Sequence, residues 1–121
     1  LYQERIKKLS EVPELLDFFF KKPEYASDLL IWKGASKQNI SKALQELGTL
    51  LQSIKEKDWN KETLETTVMP EAEKQGNRGV WLWPMRVALT GKEASAGPFE
   101  IAAVLGKKET LERIKIAREK L

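Results

Sequence analysis

Five aliphatic residues, Ile40, Leu44, Leu47, Leu51 and Ile54, follow one another at intervals of four, three, four and three. That period belongs to an α-helix with a single apolar stripe, and Lys37, Lys42, Gln45, Gln52 and Lys55 fall outside it. Ser36 stands where an N-cap oxygen is needed, and Gly34 closes the preceding segment. Upstream, Leu1, Ile6 and Leu9 share a face bordered by Arg5, Lys7 and Lys8. Ser10 can cap a helix that takes Pro13 in its first turn and buries Leu15, Leu16, Phe18, Phe19 and Phe20. Three consecutive phenylalanines cannot point one way, so that helix is expected to be covered on most sides. After the break at Lys21-Lys22-Pro23, Tyr25 to Trp32 reads as a short helix.

Beyond the long stripe, Asp58 or Asn60 can cap a helix carrying Leu64, Val68, Met69 and Ala72. Pro70 is expected to kink or restart it, because proline lacks the N–H and its ring clashes one turn back. The Gly76-Asn77-Arg78-Gly79 break leads to a strongly apolar run from Trp81 to Leu89 that contains one charge, Arg86. Phe99, Ile101, Ala102, Val104 and Leu105 predict a short helix stopped by Gly106. The last helix sets Leu111, Ile114, Ala117 and Leu121 on one side, with Glu109 and Arg113 at the favourable i, i+4 spacing. No alternating run bounded by turn residues predicts a strand. The expected fold is all-α, a compact assembly of about six to eight helices without heptad repeats.

Composition narrows the function. The 121 residues, 41% hydrophobic and 32% charged, fit one folded domain or two small subdomains. No apolar run approaches the roughly 20 residues a membrane span requires, and no signal-peptide pattern is present. With no cysteine and no histidine, thiolate and imidazole metal sites, Cys/His nucleophiles and the usual serine triad are excluded. The glycines are scattered, so no phosphate-cradling loop is formed. Carboxylates alternate with lysines on helix faces, which is the pattern of a solvated surface. No catalytic residue and no metal site are therefore expected. A net charge of +3 permits an anionic partner, although a nonspecific DNA binder would be more basic.

The candidate site is the stretch from Trp81 to Glu100. An apolar helix breaks at Thr90-Gly91 into small residues, and a new helix starts at Gly97-Pro98-Phe99-Glu100, with proline in a first-turn position that suits it. A helix start exposes N–H groups and partial positive charge toward acceptor-bearing ligands. Ser95, Ala96, Gly97, Pro98 and Phe99 would add a hydroxyl, open backbone and a ring, which are the means by which proteins read unstacked RNA bases. Arg86, amid apolar neighbours, is expected to be buried and to hold the 90–99 loop, with Trp81 and Trp83 packed beneath it.

Three linked segments carry a resemblance. Pro84-Met85-Arg86-Val87-Ala88-Leu89-Thr90-Gly91, then Ser95-Ala96-Gly97-Pro98-Phe99-Glu100-Ile101, then Leu105-Gly106-Lys107-Lys108-Glu109-Thr110-Leu111-Glu112-Arg113-Ile114 resemble the C-terminal end of bacterial glutamyl-tRNA synthetases. Gln3 to Leu9 and Phe18-Phe19-Phe20 are similar to that family's entrance to its anticodon-binding region. The resemblance implies a helical cage of the class I synthetase anticodon-binding type. Residues 1–22 would close a first subdomain and 23–121 would form a second. The implied partner is the anticodon loop of tRNA(Glu), with no DNA and no membrane, for a cytoplasmic monomer. ATP and magnesium would serve the family's separate catalytic domain, whose two signature motifs are missing from this chain, so no cofactor is expected here. By the same resemblance, Ser95, Ala96, Gly97, Pro98 and Phe99 contact the second and third anticodon bases and Arg5 the first. The family often has proline where this chain has Ala96, a change worth roughly 0.4–1 kcal/mol of preorganisation. A rival reading makes the Ile40–Ile54 stripe the docking face of a protein-interaction domain, which requires that stripe to be exposed.

Overall fold

A computed structural model describes residues 23–32, 34–74, 78–91 and 97–121. The expectations for residues 1–22, including the subdomain boundary and the triple-phenylalanine helix, lie outside these residues. The described residues form five α-helices: α1 (Lys37–Gln52), α2 (Lys61–Lys74), α3 (Gly79–Thr90), α4 (Pro98–Leu105) and α5 (Lys107–Lys120). Two 3-10 turns, Ser27–Leu30 and Glu56–Asp58, lie before α1 and α2, and no strand occurs among the described residues.

Helix α1 starts as its sequence requires, with the Ser36 hydroxyl accepting the Asn39 N–H at 3.1 Å. Ile40, Leu44, Leu47 and Leu51 are fully buried and Ile54, just past the helix, nearly so. The stripe therefore faces inward, against α5 and α3. This removes the surface on which the protein-docking reading depended.

The short helix expected over Tyr25–Trp32 is only one 3-10 turn. Ala26 offers no side-chain cap, and Ile31 is already extended at φ −82° and ψ 116°. Extension carries Trp32 away from the turn and onto α3, where its indole fills the space above Gly79. In α2, Asn60 supplies the cap, its Oδ1 accepting the Thr63 N–H at 2.8 Å. The helix then runs as one element through Pro70, with no restart. Pro70 and Thr66, the residue whose carbonyl loses its partner, both sit on the exposed side, where the unpaired carbonyl costs least because solvent can reach it.

Helix α3 is the axis of the fold and touches each of the other four helices. Trp81, Pro84, Met85, Val87, Ala88, Leu89 and Thr90 are buried along it. It ends at Gly91, whose left-handed φ of +71° lets its N–H bond the Val87 carbonyl at 2.7 Å. A side chain here would also meet Pro23, whose Cβ lies 2.9 Å from the position a Cβ on Gly91 would take.

Helices α4 and α5 meet at Gly106, with φ +88°. The buried line of α5 is Thr110, Arg113, Ile114 and Ala117, while Leu111 and Leu121 are only half-buried. The helix is thus turned so that a threonine and an arginine enter the interior, a rotation that apolar periodicity alone does not reveal.

Candidate nucleic-acid interface

The bend between α3 and α4 is described at its two ends. Gly91 closes α3, and Gly97 is the exposed N-cap of α4. Pro98 takes the first-turn position, and with Phe99 it is buried. At 7% exposure, the Phe99 ring belongs to the core and cannot stack on a base without leaving it. What the α4 start can offer is the exposed backbone at Gly97 and the unsatisfied amides of its first turn. Arg5, Ser95 and Ala96 lie outside the described residues.

The face of α3 that does not enter the core carries Gly79, Leu82, Trp83 and Arg86 at helical spacing. These four, with Arg78 and Trp32, line a cavity of about 310 Å³. Trp32 and Trp83 meet at 5.4 Å between ring centroids with planes tilted by 51°. Trp83 is fixed by its indole N–H, donated to the Leu29 carbonyl at 2.7 Å, which ties α3 to the first turn. Trp32 is set by the absence of a side chain at Gly79, where an added Cβ would lie 2.4 Å from the indole.

Arg86 is half-buried at this cavity rather than sunk in an internal network. The physical reason is its place on the helix: residues 84, 85, 87, 88 and 89 take up the inward arc, leaving position 86 at the boundary, where a guanidinium keeps its hydration. Trp81 lies on another side of α3, buried at 4% exposure, where it lines a separate cavity together with Gln45, Thr49 and Leu50 of α1.

The buried arginine is Arg113. Its Nε donates to Glu109 Oε2 at 2.7 Å, and its Nη1 donates to the Leu89 carbonyl at 2.7 Å. In sequence the pair looked like an ordinary surface contact, and nothing in the i, i+4 spacing marks burial. Two lysines donate to backbone carbonyls, Lys107 to Gln52 and Lys120 to Tyr25. Lys108, Lys115 and Arg118 are exposed.

The cavity brings together two indoles and two guanidinium groups, and none of its described lining residues carries a carboxylate. Such a set favours a ligand that is both planar and anionic, because indole faces stack and guanidinium groups donate to phosphate or base acceptors. Sequence reading named Trp83 and Arg86 only as supports beneath the 90–99 loop, and it did not single out Trp32 or Arg78. Trp32 comes from an extended segment far away in the chain, and Arg78 from a break, so no local pattern links them.

The family model for the anticodon binding domain matches residues 1–118. The chain belongs to the anticodon-binding domain family. This anticodon-binding domain is 43% identical over its whole length to the glutamate–tRNA ligase of Clostridium tetani, of which it covers 25%. It is 41% identical to that of Clostridium kluyveri, over 97% of the chain and 24% of that protein. Among solved structures, a glutamate tRNA ligase from Elizabethkingia meningosepticum in complex with its amino acid matches with a TM-score of 0.71 at 26% identity. That match covers 85% of this chain and 20% of the other. The anticodon-binding domain thus spans about a quarter of the length of the ligases it resembles. No helix among the described residues is long and apolar enough to cross a membrane, and no carboxylate cluster there could hold a metal ion.

Proposed function

We propose that this domain reads the anticodon loop of a glutamate-accepting tRNA as part of a glutamate–tRNA ligase, acting as a monomer in the cytoplasm. The observation that carries the reading is the Trp32–Trp83–Arg78–Arg86 cavity, a stacking and anion-donating surface on the same helix that leads into the 91–97 bend. Arg86 precedes Gly91 by five residues, about 7.5 Å along the axis at 1.5 Å per residue. One RNA loop can therefore reach both features. Ser95, Ala96 and Gly97, with the backbone of Pro98 and Phe99, are assigned to the second and third anticodon bases, and Arg5 to the first. Trp81 supports α3 from the side of α1. Activation of glutamate with ATP and magnesium is assigned to the rest of such a ligase, and this domain supplies selection.

The test is titration of a glutamate-specific anticodon stem-loop against a stem-loop with a scrambled anticodon, at several salt concentrations. The matched loop is expected to bind at least about tenfold more tightly. Arg86→Gln should reduce that preference, since a bidentate guanidinium contact to a base contributes on the order of 1–3 kcal/mol of discrimination. Arg78→Ala should weaken both loops alike and lower the salt slope by about one. Equal binding of both loops by the unaltered domain defeats the reading.

A further inference from the structure

We infer that Arg113 is a positioning residue for the anticodon bend, fixing the direction in which the chain leaves α3. Arg113 is only 2% exposed and is among the largest fully buried side chains. Burying a guanidinium costs desolvation, and an apolar side chain of similar volume stabilises a core at least as well. The use of an arginine here therefore points to what its donors hold.

What they hold is the end of α3. The last four carbonyls of a helix lack intrahelical partners. In α3 the Val87 carbonyl takes the Gly91 N–H at 2.7 Å, and the Leu89 carbonyl takes Arg113 Nη1 at 2.7 Å. Glu109, one turn earlier on α5, holds Arg113 Nε at 2.7 Å and so sets the plane of the guanidinium. Leu89 stands two residues ahead of Gly91, where the bend begins. Pro23 lies close to Gly91, its Cβ 2.9 Å from where a Cβ on that glycine would stand. The far stem of the bend is seated by Pro98 and Phe99 in the core. Both ends of the bend are thus anchored, and the first anchor is a directional hydrogen bond from a different helix.

The binding arm of the test rests on the RNA reading, and a second arm does not. In the 121-residue chain, Arg113→Lys keeps the charge but has a single nitrogen, which cannot reproduce the planar fork joining Leu89 and Glu109. Its preference for the matched over the scrambled stem-loop is expected to fall about tenfold, with binding of the scrambled loop unchanged. Ile40→Val, a core substitution in α1, serves as the control that lowers melting temperature without altering the preference. Without RNA, hydrogen exchange at the Gly91 amide is expected to accelerate about tenfold in Arg113→Lys while amides of α1 keep their rates. Glu109→Gln leaves Arg113 in place and should give about threefold effects in both measurements, so the inference stays testable if Arg113→Lys does not fold. Unchanged Gly91 exchange in the folded variants overturns it, as does a preference that falls no more than in Ile40→Val. If the unaltered chain shows no preference while Gly91 exchange responds as expected, the RNA reading fails and the positioning role stands.

Discussion

Replacing Gly79 by alanine tests the architecture of the aromatic cavity through one methyl group. At an open helix position the change would stabilise, since glycine is disfavoured by up to about 1 kcal/mol relative to alanine. Gly79 is the first residue of α3, so only part of that gain applies. Against it, the new Cβ would lie 2.4 Å from one Trp32 ring atom and 2.7 Å from two more. Ordinary contact begins near 3.4 Å, so the indole must move by about 1 Å and lose its packing on Trp83. Overfilling a packed site costs about 1–3 kcal/mol, and an aromatic pair contributes about 0.5–1.5 kcal/mol. The net expectation is a destabilisation of about 1–2 kcal/mol, or roughly 4–8 °C in Tm for a domain of this size. Thermal melting followed by circular dichroism measures the loss, and the tryptophan emission maximum should shift to the red as Trp32 gains water. Affinity for the matched stem-loop should fall about tenfold, because one stacked base contributes about 1–3 kcal/mol. A Tm equal to or above that of the unaltered chain, with emission and affinity unchanged, would refute the claim that the bare glycine seats Trp32.

The Tyr25 hydroxyl is buried without a hydrogen-bond partner among the described residues, and burial pushes its pKa from 10.0 up to about 12. The folded state then keeps a proton that the unfolded chain releases, so stability is full below pH 10 and falls as pH rises from 10 to 12, by about 1 kcal/mol after allowing for solvent screening. Tyr25→Phe should abolish that part of the alkaline loss and melt no lower at pH 7; parallel declines of the two proteins above pH 10 would contradict the assignment. Ser36→Ala removes the cap of α1 and should cost about 1 kcal/mol in denaturant unfolding, and no change would mean the cap is redundant. Trp59→Phe removes the 2.8 Å bond from the indole to the Ala102 carbonyl, which also accepts from the Gly106 N–H and the Thr110 hydroxyl. With the acceptor still satisfied, the loss should stay near 1 kcal/mol, and a loss of several kcal/mol would show that indole packing matters more than the hydrogen bond.

The elements legible in the chain were those set by local rules. The four-three repeat of Ile40 to Ile54, the caps at Ser36 and Asn60 and the glycine stops at Gly91 and Gly106 follow from helix period, from unpaired terminal amides and from left-handed backbone. The order of helices and the start of α4 at Pro98 were readable for the same reason. Tertiary structure alone decided the orientation of mixed faces. Arg86 sits among apolar neighbours in sequence and Arg113 between Glu112 and Ile114, yet the first borders a cavity and the second is buried. The difference lies in what the fold brings to Arg113: the Leu89 carbonyl, 24 residues away, joins the Glu109 carboxylate in replacing its lost hydration. Trp32 and Arg78 became cavity residues only because an extended segment crosses a glycine on α3. Period and caps are properties of neighbours along the chain, whereas the fate of a polar group depends on what the fold brings within about 3 Å of it.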